Sequence, residues 1–324
     1  MILLDGTNQA KAVSGTPAQL VQLPLTTLSP SDQKLWRALV GSRDIWTPVA
    51  TGSTTHPFFE RIIAVHEAPC SQFDTLRDLL GEGMKLTGPV ACLAWTGRRF
   101  HGQRGRSWYV EAGNLHCCAA VPVDLPASTC GLALTMLPAV AAVDAIRQAS
   151  EGALQPRIKW VNDLFLGLRK VAGVLTVTQT LRERLEYALF GIGINIRVAP
   201  PVPVTPFVPA VTCLNQEPGG GHLKLPEVFR ALLTALADRC LNLRDSGPEP
   251  LFDAYRSASL VLGRRVRIWR EDVNEPADRA SWPPPFAEGI VEDITPDLSL
   301  HLSGYREPVT KGRLALADAC SPQE

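Results

Sequence analysis

Apolar and polar positions show little order over the first sixty residues and become regular from residue 61 onward. RIIAVHEA (61–68) and PVACLAW (89–95) read as strands, and QFDTLRDLLGEG (72–83) between them carries its apolar residues at helical spacing. NLHCCAAVPV (114–123) predicts a further strand. TCGLALTMLPAVAAVDAIRQASEG (129–152) is nearly all apolar, which predicts a long helix buried against a sheet, with Pro138 kinking it or marking a late start. IKWVNDLFL (158–166) and VAGVLTVTQ (171–179) are β-type runs joined by GLRK, the pattern of a hairpin. LEYALFGIGINI (185–196) is a strand ending in glycines, and residues 200–222, with PPVPVTP and PGGG, form a loop. PEVFRALLTALADRCLNL (226–243) has helical spacing and a proline at its start.

After LFDAYRSASL the pattern changes near residue 260. GRRVRIWRE, PFAEGIVEDITPD, LSLHL and EPVTKGRLAL are short strands separated by turn residues, which predict a small β-barrel of about sixty residues. The expected fold is therefore α+β: a mixed β-sheet packed with helices over residues 61–259, followed by a barrel over 260–324. Residues 1–60, rich in Pro, Thr and Ser, are expected to pack on or drape over the main domain as an extension. Their one helix candidate is SPSDQKLWRALVG (29–41), and no helix-turn-helix pattern is found there.

Composition narrows the class. With 32 basic and 32 acidic residues the formal charge is zero, so bulk attraction to nucleic acid or a membrane is not expected. Arginine outnumbers lysine 25 to 7, which makes a lysine in a functional context more informative. Eight cysteines lack CxxC spacing, and reduced, mostly buried thiols are expected, with adjacent Cys117 and Cys118 on opposite faces of a strand. The opening MILLDGTNQAK breaks its apolar run at Asp5, and no run long enough to span a bilayer is read further on. A cytoplasmic protein is expected.

Three stretches carry candidate chemistry. FHGQRGRSW (100–108) combines Gly102 and Gly105, which allow close backbone approach, with Arg104 and Arg106, which fork onto anionic oxygens, and Trp108, which offers a flat face to a base. It reads equally as a nucleotide-phosphate loop or as a basic surface turn with a core tryptophan. RIKWVNDLFLGLRKVAGVL (157–175) groups Lys159, Asn162 and Asp163 with Lys170 across a hairpin, either as a site or as a structural ion pair. GIGIN (191–195) lets a ligand approach the backbone or marks a bulge, and Asn195 either faces a phosphate or caps the next loop.

Taken in order, FHGQRGRSW, GNLH (113–116), KWVNDLFLGLRKVAGVL (159–175), GIGIN and the β-rich tail resemble the biotin protein ligases over roughly residues 61–320. The family's pattern is a GRGRxGRxW loop, a GNLY-like strand, KWPNDLxxxxRKxxGIL, GxGIN and a small SH3-like domain. The resemblance implies ATP-dependent activation of biotin as biotinyl-5'-AMP and its transfer to a lysine of a biotin carboxyl carrier domain, with Mg²⁺ carried on the nucleotide phosphates rather than at a dedicated protein site. It implies Lys170 as the cation at the carboxylate–phosphate junction, with Arg104 and Arg106 near the anionic groups. His101, Gly102, Gln103 and Gly105 would close over the adenylate, and Trp108 would help form the adenine site. Lys159, Asn162, Asp163 and Asn195 would surround the triphosphate. Ser71, Gln72, Gly113, Asn114, Leu115, Gly173, Gly191 and Gly193 would hold biotin. Asp163 is the candidate proton acceptor for the incoming amine. No DNA or membrane partner is implied, and a sheet-edge homodimer suits the family.

The chain departs from the pattern at several points. GRGR is replaced by Phe100-His101-Gly102-Gln103, with Arg98 and Arg99 upstream as partial compensation. Gly97 and Arg98 stand where the family has glutamines, Cys70-Ser71-Gln72 faces its Ser-Thr-Asn, and Val161 replaces its proline. These changes leave two other readings open: an acyl ligase or transferase of the same superfamily acting on lipoate or octanoate, and a non-catalytic ligand-binding or regulatory homologue.

Overall fold

The computed structural model describes residues 1–6, 13, 19–49, 56–273 and 282–317. Cys320, the last residues of the C-terminal segment and part of the first sixty lie outside the described residues. The opening segment contributes β1 (Ile2–Leu4), β2 (Leu20–Leu23) and β3 (Ile45–Pro48) to one edge of the main sheet, with β1 parallel to β4 (Arg61–Ala68). Beyond β4 come β5 (Val90–Gly97), β6 (Leu115–Pro126), β7 (Arg157–Lys159), β8 (Asp163–Leu166), β9 (Arg169–Leu181) and β10 (Arg184–Ile194). The spatial order is β2-β3-β1-β4-β5-β6-β10-β9-β8-β7. The α+β class expected from the sequence holds.

Helices cover both faces. On one lie α1 (Pro30–Val40), capped by the Ser29 hydroxyl accepting from the Asp32 N–H at 3.1 Å, and α2 (Gln72–Gly81), capped in the same way by Ser71. On the other lie α3 (Ala127–Ala149), α4 (Leu225–Ser246) and α5 (Glu249–Ser257). Strand alternation divides β6 between the two cores, with Cys117 on the α3 side and Cys118 on the α2 side.

α3 starts at Ala127, so Pro138 lies inside the helix and does not mark its start. A proline has no N–H for the carbonyl one turn back; here the Leu134 carbonyl accepts instead from the Thr176 hydroxyl of β9 at 3.4 Å. Contrary to the sequence reading, α3 is long and apolar enough to cross a bilayer, but most of it is buried inside the fold, where it forms the central core helix.

IKWVNDLFL is two strands, not one. The chain reverses at Trp160–Asn162, so that Lys159 pairs with Asp163, and reverses again at Gly167 into β9. The reversal has a packing reason: Trp160 leaves the sheet and enters the core of a second sheet, donating its indole N–H to the Leu298 carbonyl at 2.8 Å. That sheet is β11 (Arg265–Trp269), β12 (Ala287–Ile294), β13 (Leu300–Leu302) and β14 (Arg313–Leu316), antiparallel in the order β13-β12-β11-β14. Trp160 thus ties the small sheet to the strands that carry Lys159 and Asp163.

Candidate functional site

The glycine–arginine stretch closes on itself. Trp108 N–H donates to the Phe100 carbonyl at 3.0 Å and Gly102 N–H to the Arg106 carbonyl at 2.7 Å, with a single tight turn at Gln103–Gly105. Two successive residues there are left-handed, Arg104 at φ 61° and Gly105 at φ 71°. Glycine adopts this conformation freely, whereas arginine does so at a cost.

Behind the loop lies a cavity of about 330 Å³, at the small end of the range for small-molecule sites. Its walls include Ser71, Gln72, His101, Gly102, Gln103, Arg106, Trp108, Asn162, Asp163, Lys170, Gly173, Gly191 and Gly193. The three glycines serve neighbouring rings. A Cβ on Gly191 would stand 3.1 Å from the Phe73 ring, one on Gly173 3.2 Å from the Trp108 indole, and one on Gly193 inside the indole's own volume. The Gln72 side chain is buried, and its amide nitrogen has no partner among the described residues although it lines this wall. An unmet donor in a pocket wall suits an acceptor on a ligand.

At one end Lys170 Nζ meets Asp163 Oδ1 at 2.6 Å and stands 5.9 Å over the Trp108 ring. Burial works against the Asp163 charge, but Lys170 and Lys159 outweigh it and hold the carboxyl below its ordinary value of 3.8. Lys159 is buried, which pulls it down to about 8 against the opposing pull of Asp163. Lys170 is also held by its backbone: its N–H donates to the Ala210 carbonyl and its carbonyl accepts from Thr212, both at 2.9 Å. The loop expected over 200–222 therefore contains a parallel bridge at Val211. Arg169 pins the same segment through Glu217 at 2.8 Å.

A second cavity of about 150 Å³ adjoins the first and shares Gln103, Arg106, Asn162, Asp163 and Arg313 with it. It adds Arg104, Lys159, Lys311 and Glu271, so cations dominate its lining. Arg104, which pairs with Glu271, faces this cavity and not the first.

Other residues named from the sequence stand elsewhere. Gly105 is at the exposed turn and lines neither cavity. Leu115 is core. Gly113 turns left-handed at φ 94° against Arg197. Asn114 is fully buried, and its Oδ1 accepts from the N–H groups of Ile196, Arg197 and Val198 at 3.0–3.1 Å. These residues latch the exit of β10 and do not line the cavity. Asn195 is buried and lines neither cavity, giving its amide N–H to the Thr212 carbonyl at 3.1 Å and leaving Oδ1 without a partner among the described residues. Arg98 is largely exposed and pairs with Glu67 at 3.3 Å, so it does not supply charge to the loop.

Some wall residues were not singled out from the sequence. Phe73, His116, Val202 and Val208 line the first cavity, and Arg313 reaches both from the second sheet. A histidine among apolar residues in NLHCC was a usable signal for His116; nothing local to KGRLAL marks Arg313.

The loop is fastened by His101. Nδ1 lies 2.9 Å from the Gly102 carbonyl and Nε2 2.9 Å from Asp74, whose other partner is Arg77. Both ring nitrogens face acceptors, so the imidazolium fits best, and these contacts, the Gly102 carbonyl foremost, raise its pKa above the ordinary 6.5. The sign follows: the clamp is full below pH 6.5 and is lost as pH rises through the raised value. An NMR titration of the His101 ring is expected to show a midpoint above 6.5 that falls in Asp74→Asn. An unchanged midpoint would mean that the carboxylate does not act on the ring.

Comparison with known proteins places this geometry among relatives. The model of the Biotin/lipoate A/B protein ligase family matches residues 92–195. The chain is 31% identical over 193 residues to a biotin--[acetyl-CoA-carboxylase] ligase of Paracoccus denitrificans, covering 57% of this chain and 78% of the relative. It is 28% identical over 167 residues to the bifunctional ligase/repressor BirA of Bacillus subtilis, and that match spans 51% of this chain and half of the relative. The fold is similar to that of the biotin protein ligase of Aquifex aeolicus solved with biotin and ATP, at 18% identity and TM-score 0.57, covering 80% of this chain and 99% of that one.

Proposed function

This chain belongs to the biotin protein ligase family, and on that premise we propose that it activates biotin with ATP as biotinyl-5'-AMP and transfers it to a lysine of a biotin carboxyl carrier domain. The observation that carries this reading is the meeting of Lys170, Asp163 and Arg106 where an organic-acid cavity joins a basic one. Attack of the acid carboxylate on the α-phosphate brings two anions together, and fixed cations at that junction lower the repulsion. Lys170 stands there; Arg106, Arg104, Lys159 and Arg313 face the side where phosphates would lie.

The Asp163 carboxylate is an oxygen donor on that side, as magnesium arriving on the nucleotide requires, and the described residues contain no cluster of three metal-ligating side chains. Magnesium would supply charge neutralisation on the phosphates. Gln72, Phe73 and Trp108 wall the space that would take the organic part of the acid; Trp108, assigned to the adenine by resemblance, here covers Gly173 and Gly193 on that wall. Asp163, kept ionised by its neighbours, is in the protonation state needed to accept a proton from the attacking amine.

Biotin-dependent exchange of pyrophosphate into ATP, followed by transfer to a carrier domain, tests the whole reading. Equilibrium binding of biotin and lipoate side by side tests the acid: equal or tighter lipoate binding overturns the biotin assignment. Asp163→Asn is expected to slow transfer from preformed adenylate about 10²-fold, measured by single turnover. Transfer at full speed would remove Asp163 from the proton step.

A further inference from the structure

Trp108 forms a cavity wall, and a single strip of the sheet decides where it stands. Ala94 of β5, His116 of β6, Gly193 of β10, Gly173 of β9 and Asp163 of β8 lie directly opposite one another through four successive ladders. Directly opposed residues share a face, so the strip presents a polar side chain, two bare glycines and a second polar side chain in line. The Trp108 benzo ring covers both glycines. A flat ring on two glycines has no steric detent along the strip, and its one directional group is the indole N–H. That group donates to His116 Nδ1 at 3.2 Å. The other ring nitrogen, Nε2, donates to the Glu111 carbonyl at 3.3 Å, which leaves Nδ1 as an acceptor. The Phe100 ring stands edge-on to the imidazole at 5.8 Å and fixes its plane. Burial pushes His116 down to about 4, so the ring is neutral and the acceptor lone pair is kept at ordinary pH.

We propose that His116 is a positioning residue for ligand binding: by accepting the indole N–H it holds Trp108 flat on the Gly193–Gly173 floor, with Lys170 over the ring and the rest of the cavity open to the organic acid. Without that acceptor a part-buried N–H is left unpaired, and the indole turns to satisfy it at the expense of the cavity. The effect on affinity rests on the ligase reading; the seating of the indole does not.

The test is an NMR measurement of the Trp108 indole N–H, identified by its loss in Trp108→Phe, in the full chain without ligand. In His116→Phe the signal is expected to shift and to exchange faster with solvent, while His116→Gln, which keeps an acceptor, restores both. Calorimetric biotin binding is expected to weaken roughly three- to tenfold in His116→Phe and to recover in His116→Gln. In the Trp108→Phe background His116→Phe should add no further loss, because the residue acts through the indole. An indole signal unmoved in His116→Phe, or an equal loss of affinity in both backgrounds, overturns the proposal. Wild-type protein that binds no biotin while the indole signal responds as stated would sink the ligase reading and leave the seating intact.

Discussion

Lys170→Ala is expected to lower acid-dependent pyrophosphate exchange about 10²–10³-fold, the range seen when one preorganised charge-stabilising donor is removed. Lys170 Nζ is within 2.6 Å of Asp163 at the junction of the two cavities, so its removal takes away the nearest cation and also leaves a partly buried carboxylate without its closest partner. Both changes raise the electrostatic cost of bringing an acid carboxylate to a phosphate. Lys170→Arg is expected to restore little, because a planar guanidinium cannot occupy the position of a compact ammonium set 2.6 Å from Asp163 on a backbone fixed by its bonds to residues 210 and 212. The backbone bonds that hold residue 170 survive either substitution, so the fold should persist, with melting lowered in Lys170→Ala by the carboxylate left unpaired. Exchange at the wild-type rate in Lys170→Ala would remove Lys170 from the activation step.

Asn114→Ala is expected to have the largest effect on stability. One side-chain oxygen satisfies three N–H groups, those of Ile196, Arg197 and Val198, and the amide nitrogen donates to the Val198 carbonyl at 2.8 Å in a fully buried setting. Alanine leaves these groups unmet. Even with partial relaxation the loss should be about 3 kcal/mol. Calorimetry should record a fall in melting temperature of roughly 4–5 °C for a chain of this size. Biotin affinity measured well below the melting range should change no more than a few-fold, because Asn114 is a latch behind the cavity. A large loss of affinity with unchanged melting would make it a ligand contact, as its place in GNLH suggests by resemblance.

The two residues show how far the sequence could be read. Lys170 and Asp163 were singled out because charged residues in a β-type hairpin need partners, and the pair is formed in the fold. Asn114 was grouped with the ligand by its neighbourhood in a motif. Its actual partners lie more than eighty residues away, where no local pattern reaches. The same limit explains the misjudged run IKWVNDLFL. Its alternation is β-like throughout, but the place where it breaks is set by Trp160 finding a core in a sheet built more than one hundred residues later.

Local spacing, turn residues and the apolar character of residues 129–152 were enough to determine a mixed sheet packed by helices, the small β-rich end and the stretches that carry the chemistry, because those features act over a few residues at a time. Tertiary structure alone decided that Ala94, His116, Gly193, Gly173 and Asp163 share one row, that Arg313 reaches the site from the second sheet, and that Arg106 lines both cavities while Arg104 lines only the second. Strand register and the docking of distant cores are long-range choices, made by packing the whole chain at once, and no single stretch of residues contains them.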